Sequence, residues 1–148
     1  MSGPFAPELL IEADGPVRIV TLNRPEFMNA TNDALHQALI NVWKYLAADA
    51  DARVVVLTGA GEAFSAGGDF NHFVELWDDR HQRRREIDGA GQLVTEMLAF
   101  PLPIVAAING PAVGLGCSLA ACCDLVLIEE NAYIYDPHET GCLDDETG

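Results

Sequence analysis

The sequence predicts an α/β fold built on a largely parallel β-sheet. Two predicted strands, 53–58 and 104–108, contain continuous apolar runs, the first of valine and leucine over 54–57 and the second of isoleucine, valine and alanine. Such runs are typical of strands buried on both faces. Between them lie segments whose apolar residues recur at helical spacing. Strands separated by helical crossovers pair in parallel, which gives the predicted fold class.

The N-terminal part of the chain begins with two short predicted strands, 9–13 and 17–22. An Asp-Gly pair between them is a hairpin signal. Thr31 is the predicted N-cap of the first helix. Apolar residues at helical spacing extend this helix to about Ala48.

The remainder of the chain alternates helices with short strands. We predict a short helix over 71–77 and a longer one over 80–99, which prolines end. The predicted apolar side of the long helix consists of Leu93, Val94, Met97 and Leu98. The last predicted elements are a helix over 114–122 and strands over 124–128 and 132–135.

The length of 148 residues predicts one domain with a real core. We place a core over residues 1–137 and a tail over 138–148. The tail is acidic, contains glycine and has no apolar periodicity, so we predict that it is disordered.

Composition excludes several classes of protein. The net charge of −15 argues against nucleic-acid binding, which needs a basic surface. No apolar run approaches the roughly 20 residues of a membrane helix, and the N-terminus has no signal-peptide pattern, which predicts a cytoplasmic protein. The cysteines, with no zinc-ligand spacing, are predicted to be small buried thiols.

Two glycine-containing loops follow the two buried strands. They span residues 64–69 and 109–116, and each runs into a predicted helix. A strand-to-helix junction leaves backbone N–H groups unpaired and pointing out of the helix start. Two such loops on neighbouring strands can aim two N–H donors at one carbonyl oxygen, which is the apparatus that stabilises an oxyanion.

Five motifs occur in a fixed order along residues 9–137. They are Leu22-Asn23-Arg24-Pro25 with Asn29-Ala30, Val56-Leu57-Thr58-Gly59, Ala63-Phe64-Ser65-Ala66-Gly67-Gly68-Asp69, Ala106-Ala107-Ile108-Asn109-Gly110 with Gly116-Cys117, and Cys123-Asp124-Leu125. Each motif alone is weak, but the ordered set is specific. In this set the chain resembles the crotonase superfamily, the enoyl-CoA hydratase/isomerase family.

The resemblance implies a crotonase-like spiral of ββα units that handles acyl-CoA thioesters and assembles as a homotrimer or hexamer. The N–H groups of Ala66 and Leu115 would hold the thioester oxygen as an enolate forms. Gly67, Gly68 and Asp69 would line the substrate site with them. Coenzyme A arrives as part of the substrate, so the resemblance implies no separate cofactor and no metal.

The chain departs from the family at the positions of its two catalytic glutamates. Ser118 stands at the first, and at the second Pro137 is followed by His138, with Asp136 nearby. One hypothesis is that Asp136, His138 and Ser118 form a proton relay for hydrolysis or isomerisation. The family is also considerably longer, which implies an incomplete C-terminal portion.

Two functions therefore stay open. The first is an acyl-CoA-processing enzyme that hydrates, isomerises or hydrolyses its substrate. The second is an inactive or truncated crotonase-like binding or assembly protein. The second is favoured if Ser118 is a helix-start hydroxyl bonded to backbone and His138 is a solvated histidine of the tail. Independently of this choice, Asp69 is predicted to cap the helix that follows it and so to shape the loop.

Overall fold

The structure is a computed structural model that describes residues 4, 5 and 7–137. Its strands are β1 (Leu9–Asp14), β2 (Val17–Leu22), β3 (Val54–Gly59), β4 (Ile104–Ile108), β5 (Ala112–Val113), β6 (Leu125–Ile128) and β7 (Ile134–Tyr135). Its helices are α1 (Asp33–Ala47), α2 (Phe70–Trp77), α3 (Arg80–Leu98) and α4 (Leu115–Ala121). The predicted α/β class is confirmed.

The main sheet has the strand order β1-β2-β3-β4-β6. The hairpin β1–β2 is antiparallel, and each later pair is parallel. Leu57 at the centre of β3 pairs with Val20 of β2 and with Ala106 of β4. Since β3 and β4 run in the same direction, the loops that follow them emerge at one edge of the sheet. β5 and β7 form a separate parallel pair.

The core lies between the main sheet and the helices packed on it. Helix α1 contributes a broad apolar face, and Trp43 is 1% exposed. The ring of Trp43 meets Phe100 edge to face, with centroids 5.5 Å apart. On the sheet side Leu57 and Phe64 are fully buried. Burial of this apolar surface is the main stabilising contribution to the fold.

The predicted N-cap of α1 was wrong by one residue. The Asn32 side chain accepts the Leu35 N–H at 2.9 Å, and Asn32 is the cap. The backbone of Thr31 is committed elsewhere, because its N–H donates to the Gly67 carbonyl and its carbonyl accepts from Asp69. This long-range pairing is invisible to a local capping pattern.

The apolar side predicted for the long helix α3 was too wide. Leu93 and Met97 are buried, but Val94 is 37% exposed and Leu98 is 69% exposed. An i,i+4 pair therefore carries most of the contact of this helical turn with the core. The short strand β5 and a 3-10 turn at Pro25–Phe27 were not predicted.

The thiols are less deeply placed than predicted. Cys117, Cys122 and Cys123 are each half-buried and free. Burial, together with the neighbouring Cys122 and Asp124, raises the pKa of Cys123 to about 12.

Cys142 and the predicted tail 138–148 lie outside the described residues. Among the residues described, no helix combines the length and the apolar character needed to cross a bilayer.

Strand β6 presents an uncovered apolar edge of the main sheet. All four of its residues are exposed, with Leu125 at 62% and Leu127 at 64%. An exposed apolar edge strand is a template for association. We expect the 148-residue chain to elute from size-exclusion chromatography as associated species, and Leu127→Lys to shift it towards the monomer. A wild-type chain that elutes as a clean monomer at high concentration contradicts this expectation.

Candidate active site

The first glycine loop, residues 64–69, is held rigidly after β3. Its start is anchored by Phe64, which is fully buried, and the N–H groups of Phe64 and Ser65 both donate to the Pro111 carbonyl, at 3.1 and 3.0 Å. The Ser65 hydroxyl donates to the Asn29 carbonyl at 3.0 Å. These bonds fix the backbone of the loop before any ligand arrives.

Asp69 connects this loop to helix α2 and to Arg24, which follows strand β2. Its carboxylate accepts the Asn71 N–H at 3.0 Å, which confirms the predicted N-cap. It also accepts Arg24 Nη1 at 3.1 Å, and both side chains are nearly buried. Burial favours a raised pKa for Asp69, but the Arg24 hydrogen bond, the Asn71 N–H and the Arg24 charge together hold the pKa below its ordinary value.

The second glycine loop, residues 109–116, packs directly on the first. The Val113 N–H donates to the Ser65 carbonyl at 2.8 Å. Gly114 has a φ of 56°, a left-handed conformation that favours glycine, and it places Leu115 as the first residue of α4. A methyl group at Gly116 would lie 2.7 Å from the Ser65 carbonyl oxygen, so the two loops touch at this glycine.

The N–H of Ala66, the first predicted oxyanion donor, is already engaged. It donates to the Met28 carbonyl at 2.9 Å. The N–H of Gly68 is not used in the pairing of this loop with Thr31. The two hydrogen bonds of that pairing involve the Gly67 carbonyl and the Asp69 N–H. In a parallel pairing of this kind the N–H of the central residue points to the opposite side. Within residues 7–137 the N–H of Gly68 has no hydrogen-bond partner.

Leu115, the second predicted donor, keeps a free N–H. It is the first residue of α4, where a backbone N–H has no partner inside the helix. No other described residue accepts a hydrogen bond from it. The two loops therefore offer two unpaired backbone donors, on Gly68 and on Leu115.

Both donors lie on one cavity of about 590 Å³. The cavity brings together the predicted residues Ala66, Gly67, Gly68, Leu115 and Ser118. Its remaining wall is largely apolar and includes Phe73, Ile87, Ala90, Val113 and Pro137. Thr31 also lines it, and the Thr31 hydroxyl is buried with no hydrogen-bond partner among the described residues.

The residues predicted as a proton relay are placed in part. The Ser118 hydroxyl donates to the Gly114 carbonyl at 3.4 Å, at the start of α4. Burial raises the pKa of the Cys117 thiol, and the charge of Asp136 raises it further. Asp136 therefore lies near Cys117 of α4. His138 lies outside the described residues, so the relay stays a prediction.

A second polar group on the cavity was not predicted from the sequence. Glu86 of α3 bridges two imidazoles, with Oε2 against His36 Nδ1 of α1 and Oε1 against His72 Nε2 of α2. All three side chains line the cavity. The signal in the sequence is a histidine within the apolar face of α1, but its partners lie 36 and 50 residues further on. Among the residues described, no group of His, Cys, Asp or Glu is arranged to hold a metal.

The contact between the loops can be tested at Gly116. We expect Gly116→Ala to destabilise the protein by roughly 1–3 kcal/mol, because its methyl group meets the Ser65 backbone and separates the loops. Gly91→Ala on exposed α3 is the control, because its methyl group meets nothing within 4 Å. It should be neutral or stabilising by about 0.4–1 kcal/mol. Urea unfolding measures both, and equal stabilities would contradict close packing at Gly116.

The chain is similar to solved structures and curated proteins over most of its length. An enoyl-CoA hydratase/isomerase from Mycobacterium paratuberculosis superposes with a TM-score of 0.86 at 51% identity, over 90% of this chain and 53% of that one. The 2,3-dehydroadipyl-CoA hydratase of Escherichia coli is 39% identical over 84% of this chain and 48% of its own length. Human testis-specific chromodomain protein Y 2 is 37% identical over 86% of this chain and 24% of its length.

The chain thus spans about half the length of the hydratases that it resembles. These likenesses confirm the predicted crotonase-like fold, and they confirm that the chain covers only part of that fold. The family model for enoyl-CoA hydratase/isomerase matches residues 12–146. The chain belongs to the enoyl-CoA hydratase/isomerase family.

Proposed function

We propose that this protein binds an acyl-CoA thioester and stabilises its enolate between the backbone N–H groups of Gly68 and Leu115. One observation carries the proposal: two contacting loops each hold a backbone N–H without a partner among the described residues, and both of these residues line the same cavity. Gly68 replaces Ala66 as the first donor, because the Ala66 N–H is bonded to Met28. Ala66 then contributes to the wall of the site.

The two donors would act on charge that develops during the reaction. When a proton leaves the carbon next to the thioester carbonyl, the bonding electrons move into a carbon–carbon double bond and the carbonyl oxygen becomes negative. Fixed N–H donors stabilise that oxygen without reorganising, and each donor is worth about 2.7–4 kcal/mol in systems where it has been removed. The apolar wall formed by Phe73, Ile87 and Val113 suits the acyl chain.

Glycines allow the thioester to approach the first loop. Gly67 has a φ of 96°, and a methyl group there would lie 3.0 Å from the Val113 carbonyl oxygen. Gly68 carries no side chain between its N–H and the cavity. A ligand can therefore reach the backbone at this point, as an oxyanion site requires.

The reaction class we propose is hydration or isomerisation of an enoyl-CoA, with hydrolysis as a further possibility for the same enolate chemistry. The second candidate is a binding protein without turnover. Ser118 favours the second candidate, because a neutral hydroxyl bonded to Gly114 cannot act as the carboxylate base expected at that position.

The proposal also covers the cofactor, the oligomeric state, the compartment and the partners of the protein. Coenzyme A would enter as part of the substrate, with no separate cofactor, and the chain would assemble as a homotrimer or hexamer in the cytoplasm. The exposed apolar strand β6 supports assembly, and the free thiols of Cys117, Cys122 and Cys123 support a reducing compartment. The net charge of −15 supports the absence of a nucleic-acid partner.

A titration with acetoacetyl-CoA tests the proposed site. The enolate of this β-keto thioester absorbs in the near ultraviolet, so a competent oxyanion site produces a new band. We expect the band to appear and to saturate at micromolar ligand, and free coenzyme A to produce none. No band at saturating acetoacetyl-CoA would refute the enolate site, and calorimetric binding without a band would favour the binding protein.

A further inference from the structure

We propose that His72 is the base that removes the proton next to the thioester carbonyl, and that Glu86 and His36 position it. This inference rests on the proposed function, since it supplies the group that takes the proton while Gly68 and Leu115 hold the oxygen. The base and the two residues that position it then come from α1, α2 and α3, and Ser118 is not the base.

The geometry of the cluster fixes which nitrogen is free. A carboxylate accepts hydrogen bonds, so each imidazole presents a protonated nitrogen to Glu86. His72 meets Glu86 through Nε2, so in the neutral tautomer that donates this hydrogen bond the lone pair lies on Nδ1. Within the described part of the chain no donor is bonded to His72 Nδ1. A base oriented by a carboxylate is the arrangement that proton transfer requires.

Burial distinguishes the two histidines. The His36 side chain is 6% exposed, and that of His72 is 15% exposed. His72 and Glu86 also border a second cavity of about 310 Å³, whose lining includes Gln82 and Arg85 but not His36. His72 therefore reaches both the ligand cavity and a polar opening, whereas His36 holds Glu86 from the buried side.

A second polar residue, Thr31, lines the same cavity. Its hydroxyl is buried with no hydrogen-bond partner among the described residues. A buried hydroxyl without a partner is unfavourable, and a polar ligand that reached it would supply the missing hydrogen bond. The backbone of Thr31 is paired with Gly67 and Asp69, so this residue lies opposite Gly68, which carries the proposed oxyanion donor.

The proton step balances without any further reactant. His72 Nδ1 takes the proton from the α-carbon, and the C–H bonding pair becomes the double bond of the enolate. The carbonyl π pair moves to the oxygen, which the two backbone donors hold. Return of the proton restores the thioester, and in D₂O it is replaced by a deuteron.

Deuterium exchange into butyryl-CoA tests this assignment in the full chain. We expect wild-type protein to incorporate deuterium at the α-carbon, and His72→Ala to slow incorporation by about 100-fold or more. The acetoacetyl-CoA affinity of His72→Ala should change little, and added imidazole should restore part of its exchange. Glu86→Gln should slow exchange while keeping butyryl-CoA binding. His81→Ala, an exposed histidine of α3, is the matched control and should exchange at the wild-type rate.

The outcomes separate this inference from the function on which it rests. Wild-type protein that gives the enolate band but exchanges no deuterium, or His72→Ala that exchanges at the wild-type rate, overturns the role of His72 alone. Wild-type protein that gives no band overturns the enolate site itself. A His72→Ala variant that melts at the wild-type temperature and loses only exchange supports a catalytic rather than a structural role.

Discussion

Leu115→Pro is expected to slow α-proton exchange by about 100- to 1000-fold while leaving the fold intact. Proline removes the N–H of residue 115, which is the proposed donor, and loss of one oxyanion donor costs this much elsewhere. Residue 115 is the first of α4, where proline is tolerated because its φ fits and the missing N–H has no helical partner. Gly114 before it gives the backbone the freedom that proline demands of its neighbour.

The matched control for this variant is Leu115→Ala. It shortens the side chain, which packs against the core, but keeps the N–H. We expect it to retain most of the exchange rate, and thermal melting reports any loss of packing in both variants. The donor role of Leu115 is refuted if the proline and alanine variants exchange deuterium equally fast.

Arg24→Met is expected to destabilise the protein by about 3–5 kcal/mol, because it leaves a nearly buried carboxylate without its cation. Arg24 donates to Asp69 at 3.1 Å and to the Ala30 carbonyl, and its guanidinium lies 4.5 Å from the centre of the Phe27 ring. Urea unfolding measures the loss. Adding Asp69→Asn to Arg24→Met should recover part of it, whereas additive losses would contradict a direct coupling.

The same pair predicts a dependence of stability on pH. The pKa of Asp69 is lowered in the folded protein, so the charged carboxylate stabilises the fold at neutral pH. This contribution is present above the ordinary aspartate pKa of about 3.9 and is lost as the pH falls through the lower folded value. Below about pH 4 the unfolding free energy of Asp69→Asn should therefore fall less steeply than that of wild type.

Much of the fold could be predicted because its signals are local. The hairpin, the strands β3 and β4 and the long helices follow from turn residues and from apolar spacing. The predicted burial of β3 and β4 on both faces was too strong, because buried and half-buried residues alternate along both strands. The N-cap of α1 could not be predicted, because the backbone of Thr31 pairs with Gly67 and Asp69 instead of starting the helix. The two-residue strand β5 has no periodicity of its own and exists through its pairing with β7.

The site was predictable in outline and not in detail. Motif order located both glycine loops, but choosing the donor within the first loop requires knowing that Met28 already accepts the Ala66 N–H. The cluster of His36, His72 and Glu86 depends on how three helices meet, which no spacing within one segment reveals. Pairings between distant segments therefore decided what the sequence alone left open.

A crystal structure of the protein with bound butyryl-CoA tests the central claim most directly. We expect the thioester oxygen to lie about 2.7–3.1 Å from the backbone nitrogens of both Gly68 and Leu115. The α-carbon should then face His72 across the cavity. A thioester oxygen bound outside the two glycine loops, or held by only one of these nitrogens, would contradict the account.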